Sequence, residues 1–150
     1  MVYNPQFARL GEILVHEAYV TEDQVKEALL KQGNFGLKLG ETLIKLGYLT
    51  ENELLSALHQ QLGYDVVQDK ELMDIDIDIV SLIPEPYALE NRVLALREEG
   101  DGIVIAMADP ENLNVLDSLK KLLGKRIKPV LIGDTSLHDA IEKYYKSIRT

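Results

Sequence analysis

The chain has no cysteine. A disulfide framework and a thiolate site are both excluded, and the composition is compatible with a reducing cytoplasm. No apolar run approaches the ~20 residues that cross a bilayer. The opening MVYNPQFARLG lacks the basic start, apolar run and cleavage site of a secretory signal. Positive charge is scarce: 16 Lys and Arg against 25 Asp and Glu give a formal net charge of -9. That balance opposes non-specific binding to DNA or RNA, which needs a basic surface to displace counterions. The cluster Lys120, Lys121, Lys125, Arg126 and Lys128 has no interleaved aromatic residues and reads as a solvated helix end. A phosphate loop is missing as well, since Gly124-Lys125-Arg126 lacks both the preceding glycine and the hydroxyl. His16, His59 and His138 lack metal-ligand spacing and read as surface or capping residues, and the Ile/Asp alternation after Asp74 lacks the glycine and closing glutamate of an EF-hand loop. Neither an enzyme nor a metal site is expected.

What is present is a duplication. Residues 9–32, RLGEILVHEAYVTEDQVKEALLKQ, recur as residues 38–61, KLGETLIKLGYLTENELLSALHQQ, after the spacer GNFGL. Ten of the 24 aligned positions are identical, from Leu10/Leu39, Gly11/Gly40 and Glu12/Glu41 to Gln32/Gln61; chance supplies roughly one or two. One such unit cannot bury its own apolar face, so two adjacent copies are expected to pack about a pseudo-two-fold axis. Two related half-sites suit a ligand with two related halves. With 46% hydrophobic residues in 150, the chain has material for one or two cores.

Each copy reads as two short helices. Asn4-Pro5 offers an N-cap with proline at the first helical position, and Phe7, Leu10, Ile13 and Leu14 follow at helical spacing, predicting a helix that ends near Glu17. Thr21-Glu-Asp-Gln24 and Thr50-Glu-Asn-Glu53 are capping boxes that start the second helices. There Val25, Ala28, Leu29 and Leu54, Ala57, Leu58 form core-facing stripes, with Gly33 and Gly63 as the expected stops. After Tyr64 the texture changes. Asp65-Val66-Val67 is strand-like, and the alternation from Asp74 to Ile79 fits either a strand or, through Ile79, Leu82 and Ile83, a helical turn. The pattern then predicts a helix over 84–91, an antiparallel hairpin of 92–97 with 103–108, a helix over 114–123 capped by Gly124, a strand over 127–132, and a last helix from Asp134 through Tyr145. The fold class is α+β: a duplicated four-helix subdomain over 1–64, then a small α+β subdomain with a three-stranded sheet over 65–150. Asp65–Asp78, acidic and weakly periodic, is read as a connection about which the two move.

Three residue types recur at awkward places. Gly11 interrupts the expected first helix at a cost of about 1 kcal/mol against alanine, and Gly40 is its equivalent. Each missing side chain admits either a packed helix or a ligand to the backbone. Gln32 and Gln61 end the apolar stripes, where an unpaired buried amide costs ~1–3 kcal/mol; each either points to solvent at a frayed end or meets a partner. Arg9 and Lys38 open the copies. Arginine can lie flat on a base or fork to phosphate, lysine offers only a point charge, and both are common as solvated surface residues.

The doubled pattern, R/K-L-G-x-x-L-V/I followed by V/L, V/L, L and a closing Q, resembles the MshEN domain, the N-terminal domain of type II secretion and type IV pilus assembly ATPases. Better-studied members of that family are receptors for cyclic di-GMP. Leu82-Ile83-Pro84 with Ala88, Ala108-Asp109-Pro110 and the closing helix from Ala140 to Tyr145 extend the resemblance over nearly the whole chain. It implies one half-site of Arg9, Leu10, Gly11, Leu14 and Gln32 and another of Lys38, Leu39, Gly40, Leu43 and Gln61, with leucines against guanine and ribose. Val15, Val20, Val25 and Leu29, with Ile44, Leu49, Leu54 and Leu58, would complete the apolar surfaces. Asp109 would reach the ligand or pair with Arg9; otherwise it caps the end of a strand. No cofactor is implied beyond the ligand cyclic di-GMP. The implied partners are a secretion or pilus ATPase domain, in cis or in trans, and a membrane-platform protein, and the implied location of the chain is the cytoplasm. Two positions depart from the family: Ala18 stands where glycine is usual and Gly47 keeps it, and Lys38 replaces arginine. The alanine is expected to tighten its turn, and the lysine to weaken stacking on one guanine. The alternative is a docking domain that recruits a secretion ATPase to its membrane platform without binding nucleotide.

Overall fold

The computed structural model describes residues 3–5, 8–35 and 38–149, except for the side chain of Phe35; Phe7 lies outside the described residues. The chain divides into two compact units, Met1–Gly63 and Tyr64–Thr150.

The first unit holds α1 (Leu10–His16), α2 (Glu22–Phe35), α3 (Leu39–Lys45) and α4 (Glu51–Leu62). Both capping boxes form: the Thr21 and Thr50 amides donate to Gln24 and Glu53 Oε1 at 2.9 Å, and the Gln24 and Glu53 amides donate back to the threonine hydroxyls at 3.2 Å. The copies interlock, because α1 packs on α4 while α3 packs on α2, and α1 meets α3. These contacts interchange when the copies are exchanged, as pseudo-two-fold packing requires. Ile13, Leu14, Val20, Ala28, Leu43, Leu49 and Ala57 fill the core.

Both short helices end in the same way. The Ala18 amide donates to the Val15 carbonyl and the Tyr19 amide to the Leu14 carbonyl, each at 3.0 Å; Gly47 to Ile44 and Tyr48 to Leu43 repeat this at 3.0 Å. This is a Schellman ending, with a left-handed residue just past the cap. Ala18 takes φ 60° and Gly47 φ 83°. The alanine does not tighten the turn as expected; it adopts glycine's conformation with a Cβ attached.

Three expectations for this unit change. The first helix starts at Leu10, with Arg9 extended before it at φ -73° and ψ 155°. A helix from Pro5 would need the Ala8 carbonyl for its own ladder, whereas that carbonyl accepts from Gln61 Nε2 at 3.1 Å. Gly33 does not stop α2, which runs on to Phe35; a Cβ there would meet no atom within 4 Å, and a glycine in an exposed turn is tolerated at about 1 kcal/mol. Leu29, assigned to the core, is 55% exposed. Gly63 does cap α4, with φ 79°.

The second unit carries α5 (Asp69–Met73), α6 (Ile77–Val80), α7 (Glu85–Asn91), β1 (Val93–Glu99), β2 (Gly102–Met107), α8 (Leu113–Leu123), β3 (Arg126–Leu131) and α9 (Asp134–Arg149). Strand order is β1-β2-β3, with β1 antiparallel and β3 parallel to β2. The all-buried β2 reads as the central strand that its unbroken apolar run requires. Val66 bridges Leu131 in parallel beyond β3. The Ile/Asp alternation resolves as the helical turn α6, whose N-cap Asp76 accepts the Asp78 amide at 2.9 Å.

Asp65–Asp78 is no loose connection. Ile75 is buried in the core, its amide donates to Tyr144 Oη at 3.1 Å, and Tyr144 in turn donates to the Leu72 carbonyl. Glu71 meets Arg97 at 2.8 Å. From the next residue of α9, Tyr145 Oη donates to the Ile83 carbonyl at 2.6 Å and lies 3.1 Å from that of Val80. The closing helix thus clamps 72–83 through two phenols, and the segment belongs to the second unit.

Candidate ligand pocket of the duplicated unit

A cavity of about 570 Å³ opens in the first unit, within the range of small-molecule sites. Arg9, Gly11, Val15 and His16 reach it from the α1 side, Val25, Lys26 and Leu29 from α2, and Leu39 from α3, with Tyr3 ahead of α1. Both copies contribute. Arg9 and Lys26 supply cations, balanced by Glu12 and Glu22 on the same wall. Leu29, missing from the core, is here an apolar wall.

Of the two implied half-sites, Arg9, Gly11 and Leu39 line the cavity, joined by Val15, Val25 and Leu29 from the implied apolar surfaces. Leu10 is half-buried against the core. Leu14 and Leu43 have no exposed surface; both belong to the core and neither lines the cavity. The two glycines share one local role. A Cβ on Gly40 would sit 2.6 Å from Leu54 Cδ1, and one on Gly11 would sit 3.2 Å from Val25 Cγ1 and 3.4 Å from Leu39 Cδ2. Each is the second residue of its short helix, where the following helix of its own copy closes in. Close packing accounts for Gly40; Gly11 also remains half-exposed at the cavity wall. Lys38 matches Arg9 in backbone, at φ -73° and ψ 163°, and its carbonyl accepts the Thr42 hydroxyl at 2.9 Å.

The glutamines take different surroundings. Gln61 meets a partner across the copies, the Ala8 carbonyl one residue before Arg9. Gln32 lies half-buried on α2. Asp109, in the second unit, follows β2 and accepts the Glu111 amide at 3.3 Å, the capping geometry read as its alternative.

Five cavity residues, Tyr3, Glu12, His16, Glu22 and Lys26, were not among the site residues read from the sequence, and two of them are aromatic rings in contact. Tyr3 and His16 stack in parallel, with ring centroids 3.7 Å apart and planes at 12°. Burial, followed by the Glu17 and Glu12 carboxylates, raises the Tyr3 phenol above its ordinary value. Tyr3 precedes the repeat, so no internal comparison could flag it, and His16 had only the look of a surface histidine. A further link joins the copies: Tyr48 Oη donates to Glu27 at 2.9 Å, and Lys31 holds the same carboxylate at 2.9 Å. These bonds, from Lys31 first and then Tyr48, lower the Glu27 carboxyl below the usual range.

Fold and cavity define an α+β module whose duplicated helical half is hollowed on one side. Among the described residues no helix is long and apolar enough to cross a membrane, and no cluster of His, Asp or Glu could hold a metal ion. Residues 61–150 match the family model of the MshEN domain. The type IV pilus assembly ATPase PilB of Myxococcus xanthus is 34% identical over 137 residues, covering 91% of this chain and 24% of that protein. PilB of Thermus thermophilus is 33% identical over 177 aligned residues, covering 94% and 20%. The chain belongs to the MshEN family, and it spans about a quarter or less of these relatives. Among solved structures, MshE with cdg superposes with a TM-score of 0.79 at 39% identity, covering 92% of this chain and 99% of that one. The N-terminal domain of XpsE, at 17% identity and a TM-score of 0.71, shares the fold. The family model starts near the end of α4, whereas the alignments to the pilus ATPases and to MshE span nine-tenths of the chain.

Proposed function

We propose that this chain is a cyclic di-GMP-binding regulatory module, without catalysis of its own, that reports nucleotide occupancy to a secretion or pilus ATPase in the cytoplasm. The observation that carries the reading is the likeness to MshE with cdg, cyclic di-GMP, at 39% identity along nearly all of that chain. The cavity supports it by gathering Arg9 and Gly11 from the first motif and Leu39 from the second around one space. In this reading Arg9 and Lys38 meet phosphate or base, Leu10 and Leu39 meet guanine and ribose, and Gly11 leaves backbone within reach, while the buried Leu14, Leu43 and Gly40 would meet the ligand only after the packing over them opens. Gln32 and Gln61 supply amides; Gln61 would exchange the Ala8 carbonyl for the ligand. Asp109 is the candidate from the second unit. Net charge is no obstacle, because the anion is bound by a few placed donors.

Calorimetric titration of the chain with cyclic di-GMP, beside Arg9→Ala and Gln32→Ala, tests the assignment. Saturable heat at micromolar or tighter affinity, lost in both variants, is the expected result; absence of heat in the parent chain at high ligand would sink it. That outcome would favour a docking domain that recruits the ATPase to its membrane platform, the reading supported by exposed apolar side chains such as Met73, Leu89 and Leu113 on the second unit. Capture of a platform protein's cytoplasmic part without nucleotide is its test.

A further inference from the structure

Tyr3 packs half-buried against the core of the first unit, but that packing accounts neither for its hydroxyl nor for the His16 ring stacked on it. The Tyr3 hydroxyl is buried with no hydrogen-bond partner among the described residues, so a phenylalanine would pack there at least as well, and the ring is the part in use. His16 closes α1 with a side chain still 54% exposed, its Nδ1 3.9 Å from the Glu17 carboxylate. Both rings line the cavity, and their parallel stacking offers a flat π surface beside the cations Arg9 and Lys26. A flat aromatic surface next to positive charge is the chemistry that holds a nucleobase and its phosphate.

We propose that Tyr3 and His16 form a base-stacking platform in this cavity, on which one purine of a nucleotide ligand extends the stack. The proposal rests on the cyclic di-GMP reading and makes it asymmetric. The residue equivalent to His16 in the second copy is Lys45, and Tyr3 shifted by one repeat falls on Gln32, so the second half-site has no ring at either place. One base is stacked on aromatic rings, and the other rests on leucine and lysine.

The test titrates cyclic di-GMP into the whole chain and into Tyr3→Phe, Tyr3→Ala, His16→Ala and His16→Phe, with melting curves to establish folding. Base–aromatic stacking of ~1–3 kcal/mol converts to a loss of about 5-fold to 150-fold in affinity for the two alanine variants. Tyr3→Phe should bind within about twofold of the parent, and His16→Phe should recover most of what His16→Ala loses. In a proton spectrum, the His16 Cε1 proton should shift upfield when a base stacks on its ring, a signature that a packing role would not produce. If the parent binds while both alanine variants stay within about twofold, or if His16 does not shift, the platform is overturned and the receptor stands. If the parent itself does not bind, the receptor fails, and the platform with it.

Discussion

Exchanging Ala18 and Gly47 isolates one backbone effect at two equivalent sites. Both residues sit just past a short helix in the same pair of 3.0 Å hydrogen bonds, and both are left-handed, at φ 60° and 83°. A Cβ on Gly47 would meet nothing within 4 Å, and Ala18 is exposed, so neither change alters packing. A left-handed Cβ costs ~1–2 kcal/mol. Glycine gives back ~0.4–1 kcal/mol by loosening the unfolded chain. The difference predicts that Ala18→Gly stabilises the first unit by about 1 kcal/mol and that Gly47→Ala destabilises it by the same amount. The double variant should fall close to the parent. Urea unfolding followed by circular dichroism is the assay, with midpoints expected to move by ~0.3–1 M at unchanged slope. Equal midpoints for Ala18→Gly and the parent, or a loss of stability with the slope unchanged, would show that the turn holds alanine without strain and refute the reasoning.

Other outcomes follow from individual contacts. Gly40→Ala should cost more than Gly11→Ala by about 1 kcal/mol in thermal or urea unfolding, because its Cβ at 2.6 Å forces Leu54 into a new rotamer while that of Gly11 meets Val25 at 3.2 Å. Tyr145→Phe should destabilise the second unit by ~1–3 kcal/mol, since it strips the donor from buried carbonyls of Val80 and Ile83. Burial, with Glu85 second, pushes Tyr145 up to about 12. Its stability is therefore fully present below the ordinary tyrosine value and lost as pH rises through the folded one; an alkaline melt of the parent should show a loss that Tyr145→Phe lacks. Glu27 runs the opposite way: its lowered carboxyl stabilises above the ordinary carboxylate range, and this is lost as pH falls through the folded value. Glu27→Gln should flatten the acid limb of the melting profile, and an unchanged limb would discount the Lys31 and Tyr48 contacts.

The sequence by itself determined most of what is written within about four residues, Gly33 and Asn4-Pro5 being the local signals that the fold overrode. Thr21 and Thr50 announce their helices because a hydroxyl and an N3 side chain satisfy amides one turn away, and Gly63 and Gly124 end helices because φ is positive there. The hairpin and the α+β class follow from apolar runs and the turn between them, and the duplication announced itself by comparison with itself. Contacts between distant residues decided the rest. Gln61 finds the Ala8 carbonyl 53 residues away and so shortens a helix that Pro5 seemed to start. Tyr144 finds Ile75 across 69 residues and turns an acidic connection into a clamped part of the core. Leu29 sits on an apolar stripe yet faces a cavity, because a helical period shows that a face exists but not what fills the space before it. Tyr3 and His16 meet only once the chain is folded, and there the sequence had offered a surface histidine and an unremarked tyrosine.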